Sequence, residues 1–109
     1  MNKQDIVDRL LDLPAEIGQA EDSVIWANQV VVSAKAALQE AEDRLLTSNV
    51  IDGKNEAIRS AQLRSFTGPE RESLLQAEND SIKCRSALTQ LQNEFRALQA
   101  VADLLKGAA

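Results

Sequence analysis

The chain has 109 residues and a formal net charge of -5, with no histidine, no tyrosine and a single cysteine. That length makes one domain, the acidity offers no general attraction to nucleic acid or to an anionic membrane, and the lone Cys84 excludes an internal disulfide framework. Without histidine there is no ordinary general base near neutral pH and no imidazole metal ligand, so no catalytic site, metal site or cofactor is expected.

Alanine, leucine, glutamine and acidic residues dominate, and Trp26, Phe66 and Phe95 are the aromatics, a composition of long helices. Asn2 is the candidate cap of a first helix over about 3–13, with Asp5 in its first turn. Pro14 and Gly18 interrupt this segment, which predicts a kink or two abutting helices. The main helix then runs over about 14–48, roughly 50 Å at the usual rise. Its apolar residues repeat at alternating steps of three and four: Leu10, Leu13, Ile17, Ala20, Val24, Ala27, Val31, Ala34, Leu38, Ala41, Leu45. That is the seam of a coiled-coil helix, large residues alternating with small ones that admit a close partner.

Val50 to Gly53 reads as a turn, with Asp52 as the expected cap of a short helix over 54–66. Thr67 followed by Glu70, with Pro69 between them, has the pattern of a capping box. It opens a last helix over 69–106, stopped by Gly107. This helix has its own seam in Leu74, Ala77, Ser81, Cys84, Leu88, Leu91, Phe95, Leu98, Ala102 and Leu105.

Two long helices of matched length with a short connection fold back antiparallel. The expected fold is therefore all-α, one domain over 1–109: a long antiparallel helical hairpin with a short helix at its tip, assembling into a four-helix bundle. Phe95 is expected over Ala20 or Ala27. Val32, Leu46, Leu75 and Ile82 lie beside the seams, and Ile58 and Phe66 of the tip helix are expected to cover them. Cys84, on the seam, is expected to be structural.

Two groups of residues are candidates for contact with a partner. Lys54, Asn55, Arg59, Gln62 and Arg64 form the most distinctive polar stretch, either binding a partner or capping and bonding the short helix itself. Ile25, Trp26 and Val30 form an apolar group in the middle of the main helix. A tryptophan with aliphatic neighbours on a helix surface marks a contact, here expected to be a homodimer interface.

The stretch Asp52-Gly53-Lys54-Asn55-Glu56 with Arg59 and Leu63 resembles a motif in small coiled-coil proteins encoded by phages and prophages. The resemblance implies a phage or mobile-element origin and carries no activity with it. No apolar run reaches the roughly 20 residues of a membrane span, and no basic and apolar leader opens the chain, so a cytoplasmic setting without membrane contact is expected. The functional expectation is a non-enzymatic, self-associating interaction or assembly protein with a further protein partner. Two other readings remain open. One is a nucleic-acid-associated factor using Lys54, Arg59, Arg64 and Arg71. The other is an acidic inhibitor of a DNA-binding protein using Asp5, Asp8, Asp12 and Glu16.

Overall fold

The computed structural model describes residues 1–107. These form three helices, α1 (Lys3–Thr47), α2 (Glu56–Phe66) and α3 (Gly68–Gly107), with α1 and α3 paired as a helical hairpin and α2 in the connection. Packing divides the chain into two units. One joins Met1–Trp26 to the part of α3 from Ile82 onward, and the other is Ala27–Ser81.

In the first unit α1 starts as the sequence indicates. The Asn2 side chain accepts from the backbone N–H of Asp5 at 2.8 Å, and the Asp5 carboxylate accepts from the N–H of Asn2 at 3.1 Å. This reciprocal cap satisfies two of the donors that every helix start leaves open. Two abutting helices do not form at Pro14: α1 is one helix of 45 residues with Pro14 inside it. An internal proline costs about 3 kcal/mol through its missing N–H and its ring. Two features offset that cost. Leu13, beside it, is fully buried, and burial of a leucine contributes about 2 kcal/mol. Arg9 and Glu16, on either side of the proline, form an ion pair.

Arg9 also reaches across to α3, its guanidinium donating to both carboxylate oxygens of Glu94 at 2.7 and 2.8 Å. This pairing places Phe95 level with the first turns of α1, where Ile6 and Leu13 are buried. Phe95 therefore does not sit over Ala20 or Ala27. The three-four spacing places a residue on the seam but leaves the register free by whole heptads, and a cross-helix pair outside the seam selects it.

In the second unit the buried residues are all small: Ala27, Ala41, Thr67, Ala77 and Ser81. Ser81 donates its hydroxyl to the Asn28 side chain at 2.9 Å, and Arg71 of α3 binds Glu42 of α1 at 3.0 Å. The two contacts run in opposite directions along α1 and α3, so the helices are antiparallel here. Ser81, rather than Phe95, lies level with Ala27.

The end of α1 closes on Asn49, whose φ of 62° lies in the left-handed region. Asparagine tolerates that conformation better than most residues. The hydroxyls of Thr47 and Ser48 donate back to the carbonyls of Asp43, Arg44 and Leu45, occupying acceptors that the helix end leaves free.

Two boundary expectations need correction. The cap of α2 is Asn55, whose side chain accepts from the N–H of Ile58 at 2.9 Å, so the helix begins at Glu56 and not at Lys54. The capping box at Thr67 is not made. The Thr67 N–H donates to the Leu63 carbonyl at 3.1 Å and closes α2 instead. One residue thus serves as the end of α2 and the start of α3. Its hydroxyl donates to Leu63 at 2.7 Å and accepts from Arg71 Nε at 2.9 Å, which accounts for its complete burial. Glu70, left without the Thr67 N–H, keeps Oε2 buried and unbonded.

Candidate interaction surfaces

The polar stretch in the connection is a closed device. The side chain of Gln62 folds back onto the turn before α2: its Oε1 accepts from the N–H groups of Asp52 and Gly53, both at 3.2 Å. Its Nε2 donates to the Asp52 carboxylate at 2.8 Å. Arg59 points its guanidinium toward the Gly53 carbonyl at 3.5 Å, the outer limit of such a bond. Gly53 is required by close approach. A Cβ placed there would lie 2.6 Å from Ile58 Cγ2 and 3.0 Å from the backbone nitrogen of Arg59. The spacing of Asp52, Gly53, Asn55, Ile58 and Gln62 thus follows from one cap, one side-chain clamp and one tight contact.

Among the five candidate contact residues here, Asn55 and Gln62 have their polar groups engaged within the chain, and Arg59 is exposed beside the Gly53 carbonyl. Lys54 and Arg64 are exposed, with Asp52 and Glu56 interspersed. Arg71, the fourth base of the nucleic-acid reading, is paired with Glu42.

The apolar candidates are all exposed. Trp26 has 68% of its surface accessible, and Ile25 and Val30 are also open to solvent. Helical geometry separates them. Ile25 and Trp26 are adjacent and so point about 100° apart, whereas Trp26 and Val30 stand one turn apart on a common side. In the second unit Val30 borders a shallow groove with Ser73, Gln76, Ala77 and Asp80 of α3.

The expected cover of the tip does not form. Val32, Leu46, Leu75 and Ile82 are exposed, and so are Ile58 and Phe66. The cause is the connection itself. Ile58 is drawn against Gly53, and Phe66 faces a small groove with Arg44, Leu45, Ser48 and Glu70. Gln62 bonds only the turn before α2, not the long helices.

Cys84 is half-buried rather than enclosed. Arg9 joins Glu16 and Glu94 in one cluster of charges. Hydrogen bonds from Arg9 hold the Glu94 carboxyl below the usual glutamate range, and those to Glu94 and Glu16 raise Arg9 further above its own. Among the described residues no three His, Cys, Asp or Glu side chains are grouped to hold a metal ion, and no helix is long and apolar enough to cross a membrane. Comparison with protein-family models, curated proteins and solved structures gives no match.

Proposed function

We propose that this chain is a non-enzymatic helical interaction protein that associates with itself and works as an assembly or adaptor element. The observation that carries the reading is the apolar side chains left open on a regular helix, Trp26 foremost, with Ile25 and Val30 beside it. Large apolar groups scattered singly on a surface need no explanation, but a cluster centred on a tryptophan marks a contact. A two-helix hairpin has one internal interface, so association supplies the second that its apolar surface lacks.

The same reading sets the protein in the cytoplasm, with an origin among the small coiled-coil proteins of phages and mobile elements that Asp52–Leu63 resembles. A further protein partner would then meet the assembled helices. The two competing readings are weakened by commitments inside the chain. Arg71 is held by Glu42, and Arg59 leans on the turn. Of the acidic row, Asp5 caps α1, Glu16 is paired with Arg9, and Asp8 accepts from Gln4.

Sedimentation velocity across a range of concentrations tests the proposal. The expected result is a dimer at about tens of micromolar that dissociates on dilution. A monomer throughout that range overturns it.

A further inference from the structure

In the unit Ala27–Ser81 a groove of about 520 Å³ opens between α1 and α3. Val30, Pro69 and Ala77 give it apolar walls, and Ser73, Gln76 and Asp80 give it polar ones. A cavity of about 150 Å³ already holds a benzene ring, so the groove has room for an aromatic side chain. Gln76 Nε2 donates to one Asp80 oxygen at 3.0 Å, which fixes the amide. The Gln76 carbonyl oxygen and the second Asp80 oxygen then lack a donor among the described residues.

We infer that this groove is the seat for Trp26 of a second copy of the chain, and that two copies make this contact reciprocally across a two-fold axis. The inference rests on the self-association proposed above and names the surface that receives its tryptophan. Two observations point to a second copy as the occupant.

The first is the position of Trp26 on its own helix. It stands one turn before Val30 on the same side of α1 and is 68% exposed, so each chain carries a protruding ring beside a hole. A copy turned end for end about the level of Asn28 sets Trp26 of each chain opposite Val30 of the other. Both seats then fill at once, which is the self-complementary patch that a two-fold contact needs. Ser23 and Ser33, the next residues outward on that side, come opposite each other, and their small size lets the helices approach closely.

The second is complementarity of charge. Indole is apolar except for one N–H, which donates and cannot accept, and the edge of its ring is positive. The groove offers the converse: apolar walls beside a carboxylate oxygen and an amide oxygen that lack donors. An indole N–H seated on Asp80 makes a hydrogen bond to an ionised acceptor, about twice as strong as one between neutral groups. Phe66, the other exposed aromatic, has no such donor. Ile25 points about 100° away from Trp26 and lies outside the seat.

Trp26 is the sole tryptophan of the chain, so its fluorescence reads the seat in the unmodified protein. Its emission is expected to shift to shorter wavelength, and its quenching by iodide to fall, as concentration rises through the dimer dissociation constant measured by sedimentation equilibrium. Ser73→Arg/Gln76→Arg fills the groove from two exposed positions. It should raise that constant at least about tenfold, as should Trp26→Ala. A mixture of the two variants keeps one intact seat, with the ring from the groove-filled chain and the groove from the other. It is expected to associate more tightly than either variant alone.

A dimer whose Trp26 stays as quenchable as in the monomer overturns the seat and leaves self-association standing. So does a groove-filled variant whose constant stays within about threefold of the wild type, or a mixture no tighter than its parts. Should the groove-filled variant lose helix by circular dichroism, the wild-type fluorescence decides alone. A wild-type chain that is monomeric throughout overturns both.

Discussion

The two units use the same pair of helices in different ways. The one built on Met1–Trp26 buries large side chains, Ile6 and Leu13, and adds the Arg9 cluster across the proline and onto Glu94. The one built on Ala27–Ser81 buries only alanines and hydroxyls, and its large apolar residues are half-buried or lie outside. Hydrophobic stabilisation scales with the apolar area removed from water. The first unit obtains that within the hairpin. The second brings its backbones close but removes little area, and so has most to gain from a partner. Similar three-four patterns on one helix thus bury large side chains in one place and only small ones in the other.

The contrast is broken most directly at Leu13. Leu13→Ala should lower stability by about 3 kcal/mol, the cost of emptying a buried leucine site, measured by urea unfolding. It should also weaken the tolerance of Pro14, seen as loss of helix in the first turns by amide exchange. A loss under about 1 kcal/mol would mean that the first unit does not depend on its large core residues.

The opposite substitution sharpens the second unit. Ala27→Leu adds bulk to a close helix contact and should destabilise by about 1–3 kcal/mol. A gain in melting temperature would show that the small seam is loosely filled and not closely packed.

A smaller effect is expected at the junction. Thr67→Val preserves shape but removes the hydroxyl that donates to Leu63 and accepts from Arg71. It should cost about 1–2 kcal/mol, with faster amide exchange over Glu56–Phe66 than elsewhere. Uniform exchange would detach α2 from Thr67.

The smallest effect concerns pH in the first unit. Because Arg9 holds the Glu94 carboxyl below its ordinary range, the pair contributes fully above the ordinary glutamate range. That contribution is lost as pH falls through the lowered value in the folded chain. Glu94→Gln should therefore lower stability slightly at neutral pH, where the pair is fully formed, and leave the acid end, where the pair is already lost, nearly unchanged, so that the acid limb flattens. A carboxyl resonance of Glu94 titrating in the ordinary range would contradict this.

Much of the architecture is legible in the sequence. The seams of α1 and α3 are periodic without a missed step, and periodicity depends only on helix geometry. Asn2 and Asp5 were readable as a cap because they act within one turn. The candidate site was less legible. Asp52 looked like a cap because caps are local, but the residue that captures it, Gln62, is ten positions away. Glu70 looked like half of a capping box because nothing in the spacing reveals that Leu63 takes the Thr67 N–H. Two abutting helices were open at Pro14 because propensity carries no information on what Leu13 meets.

The sequence by itself determined the helices, their seams and their antiparallel return. Each is a consequence of side-chain period and chain length, and both are written along one dimension. Only the tertiary structure decided the register, which hangs on Arg9 meeting Glu94 and Asn28 meeting Ser81. It alone decided that Val32, Leu46 and Leu75 stay in solvent and that Gln62 closes on the turn before the short helix. Those outcomes depend on which of several sterically allowed partners a side chain reaches, and that is settled by distance in space rather than by separation along the chain.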